Sequence, residues 1–387
     1  MTGGEARGGI VLVGPVPPWR SGIADQTLRL ARALGVLGAA PLVLTFRRMY
    51  PRALYPGARD RGAGPFPDDL DVRAILDGAR PLSFRRAALE TAALEPRLVV
   101  LPWWTAWWAP HDVLFLKTLA KRSRAVKLLL CHNVVDHEAS AWKRTLAREV
   151  YRRADRLTAP NARAKAVLER AAPGRPVDVL VHPCEARAVL PERARARAHL
   201  GVPPDAPLFL FTGILRPYKG WDVLLAAFRA MRSKEKRALL VLAGEPWGAA
   251  RALSRLAPEE GVRLELRYLP EEERSLWLDA CDAVVCPYRA ASGSGIAADA
   301  FAHARPVIGS DVPGLADVVT GGVNGLLVPP EDSAALARAM TRFVTEGLGP
   351  RLEAGVLATR GRFSPEEHAR RVLALGGLRA APDGADG

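Results

Sequence analysis

Short apolar runs alternate with stretches of helical period along most of the chain. In the first half Ile10–Val13, Pro41–Thr45, Leu98–Leu101, Lys127–Cys131 and Arg156–Ala159 are brief, rich in branched residues or Leu, and bounded by turn formers. Runs that are apolar at successive positions suit strands buried on both faces of a parallel sheet. Between them Gln26–Leu37 and Val113–Lys121 carry apolar residues at helical spacing. The second half repeats the scheme. Leu208–Thr212, Ala238–Ala243, Val262–Leu266, Ala283–Cys286 and Val307–Ser310 read as strands, and Asp222–Met231, Glu271–Ala280, Ile296–Ala302 and Ser333–Thr345 as helices. Two such blocks predict an α/β fold with two doubly wound domains. The seam is expected near Cys184–Val202, after the strand-like Val177–Val181 and across an Arg/Ala-rich helix. Arg47–Ser83, rich in Arg, Pro, Gly and Asp, fits neither block and reads as a long irregular loop.

A length of 387 residues suits two cores better than one. No apolar run reaches the roughly 20 residues that span a bilayer. The first residues, MTGGEARGG, hold no apolar h-region, so no secretion signal is expected and a cytoplasmic location is. Cys131, Cys184, Cys281 and Cys286 form no C-x-x-C pair, which reads as reduced thiols and neither a disulfide framework nor a zinc site. The net charge of +14 is uneven: residues 1–185 hold 29 Lys+Arg against 17 Asp+Glu, and residues 186–387 hold 26 against 24. A basic first half suits phosphorylated substrates, an anionic membrane surface or nucleic acid, and equally an Arg-rich surface with no partner. Zinc-finger spacing, an RNP-like aromatic strand and a dense Lys/Arg helix are all missing, which argues against nucleic acid.

Ligands of doubly wound sheets sit beyond the carboxyl ends of the strands. Five segments there carry chemistry. Gly213-Ile-Leu-Arg216-Pro-Tyr-Lys219-Gly220 follows a strand and opens a helix; its cation pair can hold a diphosphate, or can be two solvated bases in a turn. Cys286-Pro-Tyr-Arg-Ala-Ala-Ser292-Gly293-Ser294-Gly295-Ile296 ends a strand in a Gly/Ser turn that starts a helix, where backbone N–H groups bind phosphate; alone it is a weak signal. Gly14-Pro-Val-Pro-Pro18-Trp-Arg-Ser-Gly22 is not G-x-G-x-x-G and argues against an NAD fingerprint, while Gly22 lets a ligand come close to the backbone. Cys131-His132-Asn133 leaves a strand and turns His132 toward the cleft, although a lone His is more often structural; His137 and Glu138 lack a third and fourth metal ligand at suitable spacing. Trp103, Trp104, Trp107 and Trp108 follow another strand and read either as a wall contacting sugar or lipid or as core. Asp69-Leu-Asp71 has the shape of a metal–nucleotide motif, but it follows no buried strand and reads as solvated charge.

Taken in order, these segments resemble the retaining glycosyltransferases of family 4 (glycosyl transferases group 1), whose GT-B fold has two Rossmann-like doubly wound domains facing across a cleft. Pro17-Pro18-Trp-Arg-Ser-Gly22 is similar to that family's first glycine loop, and Gly213-x-x-Arg216-x-x-Lys219-Gly220 to its donor-phosphate motif. Asp299-Ala-Phe-Ala-His-Ala-Arg-Pro306, Gly314-Leu-Ala-Asp317 and Gly322-Val-Asn-Gly325 resemble its later acidic and glycine positions. Arg362-Phe-Ser-Pro-Glu-Glu resembles the start of its terminal helix.

The resemblance implies an acceptor-side domain over residues 1–185 with a crossover helix at about 364–376, and a nucleotide-sugar domain over 186–362. It implies that Arg216 and Lys219 neutralise the leaving diphosphate, that backbone at Ser294, Gly295 and Ile296 cradles it beside Gly213, and that Asp299 holds the ribose. His132 would contact the transferred sugar and Gly22 the donor. The family often carries two Glu with seven residues between them; the positions here are Ala291 and Asp299. The expected function is transfer of a sugar from a nucleotide diphosphate sugar to an acceptor hydroxyl with retention, needing neither cofactor nor metal, in polysaccharide or glycolipid assembly. The acceptor would be lipid-linked or a growing glycan, with the protein peripheral on the inner membrane face and no nucleic-acid partner. The alternatives are a catalytically impaired nucleotide-sugar-binding partner, favoured by Ala291, and a nucleotide-sugar epimerase or a phosphorylase of the same architecture. A two-lobed solute-binding protein would need an export signal.

Overall fold

Two sheets, each with every strand pair parallel, organise the chain in two units, Met1–Pro183 with Pro365–Gly387, and Cys184–Ser364. The computed structural model describes residues 9–51, 55, 59–134, 141–183, 185, 192–291 and 293–380.

The first unit holds β1 (Ile10–Val13), β2 (Leu42–Arg48), β3 (Asp71–Asp77), β4 (Leu98–Trp103), β5 (Val126–Cys131), β6 (Arg156–Ala159) and β7 (Val177–Val179), in the order β3-β2-β1-β4-β5-β6-β7. Its helices are α1 (Gly22–Val36), α2 (Leu82–Ala93), α3 (Ala109–Ala120), α4 (Ala141–Tyr151) and α5 (Ala162–Ala171). The central strand β1 registers Val11 against both Leu42 and Val99. Val11 and Val13 enter one core and Ile10 and Leu12 the other, so both faces are covered and all four positions are apolar.

The second unit holds β8 (Leu208–Thr212), β9 (Leu239–Ala243), β10 (Val262–Glu265), β11 (Ala283–Cys286), β12 (Val307–Ser310) and β13 (Gly325–Val328), in the order β10-β9-β8-β11-β12-β13. Around it lie α6 (Arg193–Leu200), α7 (Trp221–Arg232), α8 (Glu271–Ala280), α9 (Gly295–Ala302), α10 (Pro313–Ala316), α11 (Ser333–Thr345) and α12 (Gly349–Thr359). The final helix, α13 (Pro365–Leu375), packs Ala369, Val372 and Leu373 into the same core as Leu30 and Leu34 of α1. His368 Nδ1 lies 3.1 Å from the Val181 carbonyl and Arg371 donates to the Val179 carbonyl at 2.6 Å, which ties α13 to the exit of β7.

The segment Arg47–Ser83 is not the irregular loop its composition suggests. It contains the end of β2, all of β3 and the start of α2. As an edge strand β3 pairs on one side only, with β2, and its first five residues are exposed or half-buried. It therefore tolerates the Asp and Arg that hide it from a search for apolar runs.

Candidate functional site

The strand order of the second unit reverses between β8 and β11. Such a reversal leaves a crevice at the carboxyl ends of the two strands, where open α/β sheets bind ligands. The loops that leave β8 and β11 are the two Gly-containing segments singled out from sequence, residues 213–220 and 287–294. The first unit reverses between β1 and β4, which puts Gly22 and the Trp cluster on the loops leaving that switch point.

In the β8 loop Gly213 takes φ +91°. A β-carbon placed there would lie 3.0 Å from Lys219 Nζ and 3.0 Å from Ile296 Cδ1. The Lys219 ammonium and the N-terminus of α9 are therefore neighbours of the same backbone. Gly220, at φ +71°, is the cap of α7, and any side chain on it would press into the Pro287 carbonyl. Arg289 binds the two loops together: it donates to the Pro217 carbonyl at 2.6 Å and pairs with both carboxylate oxygens of Asp222, at 3.0 and 2.6 Å. Sequence reading passed over Arg289 because nothing near it in the chain names its partner.

Lys219 is 8% exposed, and no carboxylate of the described residues pairs with it. Its ammonium lies 5.7 Å from the centre of the Tyr288 ring. Burial drags its pKa from 10.5 to about 8; Arg216 and Arg274 push the same way, and the Cys286 sulfur opposes them. The Arg216 guanidinium lies 4.8 Å from the centre of the Trp247 ring. Two cations held close together, with no described carboxylate on the ammonium, suit an anion.

The second loop adds amide donors. Ser294 caps α9 by accepting from Ala297 N at 3.1 Å, and its carbonyl accepts from Ala298 N. The N–H groups of Gly295 and Ile296, in the first turn of α9, have no acceptor among the described residues. They sit at the positive end of the helix dipole, next to Lys219. Ala291 stands at the first of the two acidic positions, and its carbonyl accepts from Gly314 N at 3.1 Å. Ser292 lies outside the described residues, as do His137 and Glu138.

Asp299 faces Arg274 of α8, Oδ2 to Nε 3.6 Å, with side-chain exposures of 13% and 14%. Arg274 was passed over in the sequence because it follows Glu271, Glu272 and Glu273 and reads as one more solvated charge on α8. Only the packing of α8 beside α9 makes it part of the site.

The first unit offers different chemistry. Gly22 opens α1, is exposed, and has nothing within 4 Å of the place a β-carbon would take. His132 leaves β5, donates its backbone N–H to the Trp103 carbonyl at 2.8 Å, and stacks on His182 with ring centres 5.3 Å apart. Burial, then His182 and His368, hold its pKa well below 6.5, so the imidazole stays neutral around pH 7. The four Trp do not form one wall. Trp103 and Trp108 are 2% and 1% exposed; the first packs edge-on against Tyr151, the second among Phe46, Tyr50 and Phe84. They are core, because the end of β4 and the turn into α3 point them inward. Trp104 is half-buried, and Trp107 is open to solvent at 44%. Asp69 is held below its usual pKa first by its hydrogen bond from Arg32, at 2.8 Å. Among the described residues no three or more His, Cys, Asp or Glu are grouped to hold a metal ion.

Residues 206–346 match the family Glycosyl transferases group 1. Over 200 residues the chain is 36% identical to D-inositol 3-phosphate glycosyltransferase of a Nocardioides species, covering 47% of this chain and 44% of that one. The chain spans about half the length of the curated relatives it matches. Sucrose-phosphate synthase of Thermosynechococcus elongatus superposes with a TM-score of 0.76 at 19% identity, covering 95% of this chain and 98% of that one. HepE of Anabaena, in complex with UDP-glucose, gives 0.73 at 16% identity, covering 95% and 100%. The fold is GT-B. The matched residues 206–346, within the second unit, are similar to the group 1 glycosyltransferases.

A buried ammonium without a counter-ion is a cost to the folded chain. Lys219→Met should therefore raise the stability of the ligand-free protein, on the order of 1–3 kcal/mol near pH 7, from a shift of this size. Thermal unfolding measures it. A melting temperature several degrees lower would make Lys219 a structural residue instead.

Proposed function

We propose that the chain transfers a sugar from a nucleotide diphosphate sugar to an acceptor hydroxyl, with retention of configuration and without a metal ion. The observation that carries this reading is the buried Lys219 ammonium, unmatched by a carboxylate among the described residues and set beside Arg216 and the open amides of α9. Breaking the bond from the anomeric carbon to the phosphate oxygen leaves that electron pair on the diphosphate. Cations fixed at this point gain most as the charge develops, which lowers the barrier. The acceptor oxygen attacks from the face the diphosphate leaves, and its proton passes to a diphosphate oxygen. Asp299 holds the ribose. In the first unit His132, neutral around pH 7, offers a hydrogen bond to a sugar hydroxyl. Gly22 keeps the backbone open at the start of α1. The solved relatives that hold UDP or UDP-glucose support a nucleotide-sugar donor for this fold.

Ala291 favours a second reading, a protein that binds the nucleotide sugar without turning it over. The two separate in one assay. The protein is incubated with a panel of nucleotide sugars and acceptor glycolipids, and release of the nucleoside diphosphate is followed with and without EDTA. Turnover should persist in EDTA and fall at least a hundredfold in both Arg216→Ala and Lys219→Ala, as loss of a charge-assisted contact to the leaving group requires. Wild-type turnover in both variants overturns the assignment, loss with EDTA restored by magnesium overturns metal independence, and tight donor binding without turnover supports the second reading.

The acceptor side points to a lipid surface. Trp142 at the start of α4 is 62% exposed, on a helix that also bears Lys143, Arg144 and Arg148, and Trp107 is exposed near the start of α3. Aromatic side chains among basic ones suit the interface of an anionic bilayer, each surface cation adding about 1 kcal/mol. No described helix is long and apolar enough to cross a membrane. The protein should sediment with vesicles of anionic lipid at low salt and be released by high salt. Retention in the supernatant at low salt would favour a soluble acceptor.

A further inference from the structure

Among the described residues none accepts a hydrogen bond from the Arg216 guanidinium, and no carboxylate pairs with it. What it does touch is the indole of Trp247, whose ring its Cζ overlies at 4.8 Å from the centre. A long side chain at the tip of a loop keeps its rotamer freedom unless something holds it. Here a ring face holds it.

The backbone brings the indole to that place. β8 and β9 register Thr212 against Ala243 at their ends. Past those ends the pairing continues: Leu215 N–H donates to the Glu245 carbonyl and Trp247 N–H to the Leu215 carbonyl, both at 2.9 Å. A parallel bridge thereby joins Leu215 and Pro246. Gly244 permits the approach, since a side chain on it would press on the Gly213 carbonyl. Leu215 is fully buried, so the loop that presents Trp247 is anchored in the core. Trp247 Nε1 donates to Glu245 Oε2 at 3.1 Å, which orients the ring.

A carboxylate and a ring face hold a guanidinium differently. A carboxylate takes up N–H donors and cancels the charge. The π face of Trp attracts the charge and accepts none of the donors, which lie in the guanidinium plane. Stacking therefore fixes Arg216 while keeping both its charge and its hydrogen bonds for an anion. We propose that Trp247 is a positioning residue for the diphosphate: it holds Arg216 in place before the anion arrives, so that binding does not have to order that side chain. This rests on the donor reading given above. Fixing a group in its bound conformation raises affinity by removing the ordering cost. Trp247 acts through Arg216 and makes no contact of its own with the ligand.

The test is a double-mutant cycle, read by calorimetric titration of the whole protein with UDP, GDP, ADP and inorganic pyrophosphate. Trp247→Leu should weaken both pyrophosphate and the tightest nucleotide by about threefold to thirtyfold, the range of a cation–π contact converted to affinity. In an Arg216→Met background the same substitution should change affinity by less than about twofold, because the residue it acts through is gone. Trp247→Phe keeps a ring face and should retain most of the wild-type affinity, so a folding defect in the Leu variant does not decide the matter. If Trp247→Leu costs as much without Arg216 as with it, the indole only shapes the loop. If it weakens the nucleotide and leaves pyrophosphate untouched, it contacts the nucleoside directly. Either result, like unchanged binding in Trp247→Leu, overturns the proposal while the donor reading stands. If the wild type binds none of these ligands, the donor reading fails and the proposal with it.

Discussion

The structure of the second unit turns on one unfavourable fact: an ammonium is buried where no described carboxylate neutralises it. Lys219 is 8% exposed, its pKa is brought down to about 8, and two further cations act on it. Proteins seldom bury an unmatched charge unless something else makes the match. Under the function proposed above, the missing partner is an anion that arrives and leaves. Arrangements that serve catalysis differ in this way from ion pairs that serve stability, such as Arg197 with Asp282 in the same unit, which close at 2.7 Å and stay satisfied.

The surrounding fold holds that ammonium in place. The reversal of strand order between β8 and β11 brings their exit loops side by side. Gly220 lets the first loop approach the Pro287 carbonyl, and Arg289 straps the two together. Gly213 leaves open the volume between Lys219 and Ile296 that any side chain would fill. The rigidity is inherited from the sheet: the residues before each loop, Phe211 and Val285, are 1% and 0% exposed. A loop whose stems are that deeply packed keeps its charged groups aimed without ligand, which is the preorganisation that electrostatic catalysis needs.

The fold was legible wherever burial was two-sided. β1, β6, β8, β11 and β12 match the expected runs residue for residue, because a strand paired on both sides buries nearly every position. β3 was not legible, since an edge strand carries charge. The candidate site was half legible. Motif order located Gly213, Lys219 and Ser294, but the burial of Lys219 belongs to tertiary packing and leaves no trace in a stretch reading Arg-Pro-Tyr-Lys. Arg274 is invisible for the same reason, as its partner lies 25 positions along the chain. The Trp cluster failed differently: four aromatic residues in six positions announce importance without direction, and the turn into α3 sends Trp108 into the core and Trp107 out of it.

Proton linkage tests whether Lys219 awaits a diphosphate. A free pKa of about 8 means the ammonium is present below that pH and lost above it, while a diphosphate bound there would hold it charged. The affinity for whichever of UDP, GDP and ADP binds most tightly should be titrated from pH 7 to 9.5, in wild type and in Lys219→Met. The wild-type affinity should be highest below pH 8 and fall above it by up to about tenfold per pH unit, with proton uptake on binding near pH 8.5. The variant should bind weakly with a flat profile. A wild-type affinity constant across the whole range would contradict it.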